Sequence, residues 1–239
     1  MFSPLLNRLA PLLLLAGCVT AELDPAKLTA ARAAEQRRDW PSAILHWGDI
    51  QRFHRGQDAE ASAGLAHALL ENGSPEAARR VLARALVVNP EEPDLWQLEG
   101  EVALAQDRVP AALRAWHQAL VLDPTRRDLV RRLAVVALEA GQPARIVEHV
   151  DPASWPEDER AEAHLLLARA LGPAHPQRLA HYRSAFAGGA GGGADLLAAA
   201  ELALGGIRGA DLAEARGWTL REAEQRVVAR LLDGEAGAP

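Results

Sequence analysis

The residues with the most potential for chemistry are eight histidines. A metal site needs several imidazole, thiolate or carboxylate ligands that converge on one point. None of the histidines falls in an HExxH arrangement, and His175 and His181 would point to different faces of a helix. His149 and His164 have too little sequence context for any role. The sequence therefore predicts scattered histidines, with no metal site and no cofactor.

Motifs for phosphate binding and hydrolysis are also missing from the sequence. The glycine-rich run at 188–193 is followed by Ala194 and Asp195, where a phosphate-binding loop needs a lysine and then a serine or threonine. No Gly-x-Ser-x-Gly motif supplies a nucleophile. We predict that the chain is not an enzyme, and we interpret 188–194 as a linker.

Cys18, the only cysteine, ends the segment Leu15-Ala16-Gly17-Cys18. This segment directly follows an apolar run that is too short to span a bilayer, and a single positive charge, Arg8, precedes the run. The arrangement resembles the signal peptide and lipobox of bacterial lipoproteins. The resemblance implies that 1–17 are removed as a signal peptide, that lipid is attached to Cys18, and that 18–23 form the lipidated tether.

Several acyl chains anchor a protein firmly to a membrane. The resemblance therefore implies a protein of the cell envelope, held to a membrane by its N-terminal lipid. Val19 follows the cysteine, where an Asp would resemble an inner-membrane retention signal in some bacteria. This difference favours the outer membrane, with the folded part facing the periplasm.

Composition favours an all-α protein. The chain has 50 Ala and 37 Leu against 14 Val, 4 Ile and 4 Thr, so residues that favour strands are scarce. Its net charge of −6 gives no support to a nucleic-acid partner, which a basic chain would favour.

A period of 34 residues runs through the middle of the chain. Residues 85–90 read ALVVNP, and 119–124 read ALVLDP. The same period aligns Ala78 with Ala112 and Leu82 with Trp116. These columns resemble the tetratricopeptide repeat, a helix-turn-helix of 34 residues. The resemblance implies a right-handed superhelix, or solenoid, of stacked helix pairs.

The columns divide the chain into units. The best copies are 59–92 and 93–126, with weaker ones on either side and a helical cap at the C-terminal end. The full prediction is repeats at 24–58, 59–92, 93–126 and 127–152, a degenerate repeat at 156–187, the linker, and a cap at 195–239 with helices at 195–204 and 219–233.

Each column has a packing role. Small residues at Ala66, Gly100 and Ala134 would let paired helices approach closely, while large residues such as Trp116 fill the gap to the next pair. Glu99 departs from the pattern, which has a leucine there.

The sequence also contains signals for helix ends and turns. They are a possible cap at Ser74, turn glycines at Gly73 and Gly141, and an aromatic at a turn, Trp40. Two tryptophans flank irregular stretches and are candidates for exposed partner contacts: Trp155 and Trp218.

In the tetratricopeptide family, the first helix of each pair lines a groove. By this resemblance the groove-facing residues would be Glu60, Ala63, His67, Asp94, Gln97, Glu101, Asp128, Arg131 and Val135. The middle of that lining is acidic and would suit a peptide or helix that carries Arg or Lys.

These observations predict a membrane-anchored scaffold that binds another envelope protein or a peptide segment. At the level of architecture it resembles lipoproteins that help to assemble outer-membrane barrels or pilus secretins. Two alternatives stay open: a periplasmic chaperone-like holder of unfolded chains, which would need a broad apolar groove, and an envelope enzyme or carbohydrate-binding accessory, which would need a closed pocket.

Overall fold

A computed structural model describes residues 25–172, 174–192, 194–195 and 198–199. The predicted signal peptide, Cys18, Trp218 and most of the predicted C-terminal cap lie outside these residues. The described part contains ten α-helices and a short 3-10 helix at Pro152–Ser154 and has no strand, so the all-α prediction is confirmed. The helices are α1 (Pro25–Gln36), α2 (Trp40–Phe53), α3 (Ala59–Glu71), α4 (Pro75–Val88), α5 (Pro93–Ala105), α6 (Val109–Leu122), α7 (Arg127–Glu139), α8 (Ala144–Val147), α9 (Arg160–Ala170) and α10 (Arg178–Ala187).

Local sequence signals set where the helices begin and end. Asp58 accepts a hydrogen bond from the Ala61 backbone N–H at 3.0 Å and so caps α3. Ser74 occupies the same position before α4, but its side chain makes no capping hydrogen bond, which corrects its predicted role. The turns after α3 and α7 contain Gly73 and Gly141 with φ of +75° and +66°, a conformation that glycine adopts without strain.

Each helix packs on its sequence neighbours, and α3 and α7 also contact the first helices of the next units, α5 and α9. The core therefore extends along the chain as successive clusters, as expected for a solenoid. Gly100 confirms the close-approach prediction, because it is buried in α5 directly against the indole of Trp116. Large buried side chains of these clusters include Trp47, Ile50, Leu82, Leu95, Trp116 and Leu133.

The fourth unit lacks a full second helix. Helix α8 has only four residues, and the chain continues through the 3-10 helix to Trp155. Trp155 is only 4% exposed, so the prediction that it is an exposed partner contact is wrong. Its ring fills space in the core beside α7 and α9, and the Arg131 guanidinium lies over it at 5.3 Å from the ring centroid. The tryptophan occupies space that a longer helix would have covered.

The glycine-rich segment after α10 is held against α9. Gly189 and Gly191 have positive φ values of +80° and +113°. Beyond them, Asp195 accepts two hydrogen bonds from the Arg169 guanidinium, each of 2.8 Å, and a third from the Gly192 backbone N–H at 2.9 Å. This bidentate pair is largely buried on the aspartate side and fixes the run in place.

Among the described residues, no helix has both the length and the apolar character needed to cross a membrane.

Candidate partner-binding face

Successive first helices present their polar side chains to one another. We call the surface that they form on α1, α3, α5, α7 and α9 the first-helix face. Arg32 of α1 pairs with Glu60 of α3 at 2.5 Å. Glu101 of α5 likewise pairs with Arg132 of α7. These partners lie about one repeat apart in sequence, so each pair links neighbouring units.

Arg131 of α7 is the most connected residue of this face. Its guanidinium contacts Asp128 at 2.8 Å, Glu159 at 2.9 Å and Glu162 of α9 at 2.8 Å. Hydrogen bonds to Glu162 and Glu159, partly opposed by burial, raise the pKa of Arg131 above its ordinary value. Arg127 adds a further contact to Glu159 at 2.9 Å. Helices α7 and α9 are therefore joined by a shared network rather than by an isolated pair.

A second arginine connects α5 to the turn before α7. Arg126 contacts Asp94 at 2.6 Å and Asp123 at 2.9 Å, and it donates to the Gln97 amide oxygen at 3.1 Å. Burial works against its charge, but the hydrogen bonds to Asp123 and Asp94 outweigh that effect and raise the pKa of Arg126. Gln97 in turn donates to Glu101 at 3.2 Å, so the network continues along α5.

Between these two networks lies an open, polar cavity of about 540 Å³. Its walls combine four arginines with two acidic residues and uncharged groups, so it presents charges of both signs. The lining residues are Gln97, Thr125, Arg126, Arg127, Asp128, Leu129, Arg131, Arg132 and Glu159.

The polar residues predicted to line the groove are all on first helices, and every one of them makes a polar contact there. They are Glu60, His67, Asp94, Gln97, Glu101, Asp128 and Arg131. His67 lies 3.6 Å from Glu35 and packs edge-on against Trp40, the aromatic expected at a turn.

The acidic character expected of this face is offset in the structure. Glu60, Asp94 and Glu101 each have an arginine partner, from Arg32, Arg126 and Arg132 respectively. In each pair the two side chains come from adjacent first helices or from the turn before one of them, so the opposite charges neutralise one another. Charge attraction for an Arg- or Lys-bearing peptide is correspondingly reduced. Val135, an apolar residue that was also predicted to line the groove, is 57% exposed.

Two histidine pairs were missed by sequence reasoning. His117 Nδ1 lies 2.8 Å from His149 Nε2, and His164 Nδ1 lies 2.8 Å from His181 Nδ1. Burial lowers the pKa of His149, His164 and His181. For one pair, the spacing in the sequence could have indicated the contact, because His117 and His149 are nearly one repeat apart. The other pair has no such signal, since His164 lies six residues before the end of α9 and His181 three residues after the start of α10.

Glu99 is a second unusual ionisable group, on α5. One of its carboxylate oxygens, Oε2, is buried and has no hydrogen-bond partner within the described part of the chain. Burial raises the pKa of Glu99, and the charges of Arg108 and Arg79 only partly oppose this. The residue that breaks the repeat pattern thus also has a buried carboxylate oxygen without a partner among the described residues.

Comparison with known proteins identifies the repeats. A family model described as tetratricopeptide repeat matches residues 28–93, 63–126 and 98–145. No curated protein matches the chain in sequence.

Several solved structures are similar in fold. PilF of Pseudomonas aeruginosa is 18% identical with a TM-score of 0.53, and the match covers 89% of this chain and 92% of that one. MamA is 14% identical with a TM-score of 0.47, over 90% and 96% of the two chains. A chain of the Naa15/Naa10 complex bound to HypK-THB is 15% identical with a TM-score of 0.49, over 88% of this chain and 29% of that one. The family match, the helix pairs and the repeat columns agree: the chain contains tetratricopeptide repeats, which span residues 28–145.

Proposed function

We propose that the chain is a lipid-anchored scaffold of the bacterial cell envelope whose first-helix face binds another protein or a peptide segment. The observation that carries this proposal is the continuity of that face. Ion pairs join α1 to α3, α5 to α7 and α7 to α9 on this face, and a cavity of about 540 Å³ opens on it. Tetratricopeptide repeats are typically scaffolds for protein interaction, and such a surface offers many groups to a partner at once.

The ion pairs across repeats support binding through pre-organisation. Arg131 is held by three carboxylates and by stacking on Trp155, so its position is fixed before any partner arrives. A surface that is already ordered loses less side-chain entropy on binding. The polar lining also favours a scaffold over a chaperone-like holder, which would need a broad apolar groove.

The anchoring part of the proposal rests on Cys18 and the segment before it. A tether from Cys18 to the start of α1 at Pro25 can extend to at most about 25 Å. The repeats would therefore stay close to the membrane surface, where they could meet membrane proteins or their soluble domains.

Metabolic labelling with a clickable fatty acid tests the anchor. The wild-type chain should carry the label and fractionate with membranes, and Cys18→Ala should lose both properties. Val19→Ala is a matched control that keeps the cysteine and should stay labelled. A Cys18→Ala chain that is still labelled would exclude lipidation at this residue.

A charge swap tests the binding face without removing the contact between repeats. Glu101→Arg alone breaks the pair with Arg132, whereas Glu101→Arg combined with Arg132→Glu restores an ion pair with reversed polarity. Both variants should fail to capture the main partner in a crosslinking pull-down, while only the single variant should lose stability. Arg84→Glu, on the exposed side of α4, is the control. An unchanged partner list for the double variant would place the interface elsewhere.

A further inference from the structure

Three side chains near the truncated fourth unit bring their ligand atoms together. His117 lies on α6, and Glu148 and His149 follow α8 directly. His117 Nδ1 is 2.8 Å from His149 Nε2 and 3.2 Å from Glu148 Oε2. One ligand atom from each residue falls within 4.8 Å of the other two.

Hydrogen bonding alone does not satisfy this arrangement when both imidazoles are neutral. A carboxylate oxygen can only accept, and each neutral imidazole has one N–H and one lone pair. If His117 Nδ1 donates its proton to Glu148 Oε2, the same N–H cannot also make a good hydrogen bond to His149 Nε2. If His149 Nε2 donates to His117 Nδ1 instead, Glu148 Oε2 lies 3.2 Å from a nitrogen that carries no proton. A single cation between the three atoms would accept electron pairs from all of them.

We propose that His117, Glu148 and His149 form a binding site for a divalent transition-metal ion, with zinc as the best fit. Imidazole nitrogen and carboxylate oxygen are ordinary zinc ligands, and three protein ligands leave the fourth tetrahedral position for water or a partner's side chain. Zn–N bonds of about 2.0–2.1 Å require the two nitrogens to separate to roughly 3.3 Å. This is a movement of about half an ångström from the observed 2.8 Å.

The surroundings suit a ligand role. His149 is half-buried between α6 and the segment after α8, and the neutral form of imidazole is the one that binds metals. Glu148 supplies a negative charge from a side chain that is about half exposed, so an ion can reach the site from solvent.

The position of the site gives it a structural consequence. Helix α8 has only four residues and offers little packing surface to α6. A metal ion held by His117 on one side and by Glu148 and His149 on the other would join the third and fourth units where that packing is reduced. The site is independent of the lipid anchor and of the first-helix face.

Zinc titration of the full-length chain, followed by calorimetry, tests the proposal. The chain is purified with an affinity tag that contains no histidine and is stripped with a chelator. We expect about one Zn²⁺ per chain and a higher melting temperature when zinc is present, because the ion binds only the folded state. His117→Asn and His149→Gln should each weaken binding by about tenfold or more, and Cu²⁺ and Ni²⁺ should compete for the same site.

Two further variants keep the result interpretable. Glu148→Gln changes a side chain that is about half exposed and should weaken zinc binding without altering the circular dichroism of the metal-free chain. His175→Ala removes an exposed histidine elsewhere and should bind zinc as the wild type does. The proposal is overturned if the wild-type chain binds no zinc at millimolar concentration, or if the combined His117→Asn and His149→Gln variant binds it with unchanged affinity.

Discussion

Replacing Gly100 by alanine tests the close approach of paired helices. A Cβ at Gly100 would lie 2.9 Å from Cγ of Trp116 and closer still to Cδ1 and Nε1 of the same ring. Trp116 is only 2% exposed and donates from its indole nitrogen to the Gln97 carbonyl at 3.1 Å. The ring must therefore move within a packed core, and its hydrogen bond must lengthen or break.

The expected magnitude follows from three effects. Forcing an extra carbon into a packed core costs about 1–3 kcal/mol, and loss of the indole hydrogen bond costs about 1 kcal/mol. Alanine is better than glycine inside a helix by about 1 kcal/mol, which offsets part of this cost. Gly100→Ala should therefore lower the free energy of unfolding by about 1–3 kcal/mol.

Two other helical glycines serve as matched controls. Apart from its flanking residues and its own helix backbone, no described atom lies within 4 Å of a Cβ built at Gly48, so Gly48→Ala should stabilise by about 0.5–1 kcal/mol through helix propensity alone. A Cβ at Gly64 would lie 2.5 Å from Trp47 Cδ2, but the Trp47 indole nitrogen has no hydrogen-bond partner in the described structure. Gly64→Ala should therefore cost about 1 kcal/mol less than Gly100→Ala.

Urea denaturation followed by circular dichroism measures all three variants. The expected order of stability is Gly48→Ala, wild type, Gly64→Ala and Gly100→Ala. If Gly100→Ala is as stable as Gly48→Ala, the proposed contact between Gly100 and Trp116 does not limit helix approach.

Three further predictions concern stability. Ala112→Leu, at a fully buried repeat position, should cost roughly 1–3 kcal/mol in urea denaturation by overpacking, and an unchanged midpoint would contradict the column assignment. Glu99→Leu should stabilise the chain by about 1 kcal/mol because it removes an unsatisfied buried oxygen. Since burial raises the folded pKa of Glu99 above the unfolded value of 4.5, this gain should be largest above the folded pKa and should shrink as the pH falls through that pKa towards 4.5; a gain independent of pH would argue against a desolvated charge. Burial lowers the folded pKa of His164 and His181 below the unfolded value of 6.5, and His164 and then His175 add to the effect at His181. The unfolded chain therefore takes up protons first, so stability present above pH 6.5 should be lost as the pH falls through the folded pKa values. Melting temperatures between about pH 8 and about pH 5 should fall less in a His164→Gln, His181→Gln variant than in the wild type, and equal slopes would contradict this.

The repeat columns were predictable because helix packing constrains residue size at fixed spacing. A close approach of paired helices at Gly100 was predictable, because a small residue lets two helices pack closely. The contact of Gly100 with Trp116 was not, since the columns assigned Trp116 to the gap between one pair and the next. Regular spacing also placed the polar residues of the first helices on one face.

Other features of the structure could not be predicted from the repeat pattern. Trp155 was assigned to the surface because the columns stop before it, whereas α8 is so short that the tryptophan turns into the core. The pairing of Glu101 with Arg132 depends on how far a long side chain reaches between helices, and a column does not specify that. The contact of His117 with His149 similarly required the position of the irregular segment after α8.

Photo-crosslinking in cells tests most directly the claim that the first-helix face binds a protein. A photoreactive amino acid is placed at Ala63 and Val135 on first helices, and at Arg84 and Val121 on second helices for comparison. None of these side chains takes part in the ion pairs that join the repeats. We predict that the same partner adduct forms from positions 63 and 135 and not from 84 and 121. Adducts from 84 and 121 alone would contradict the account.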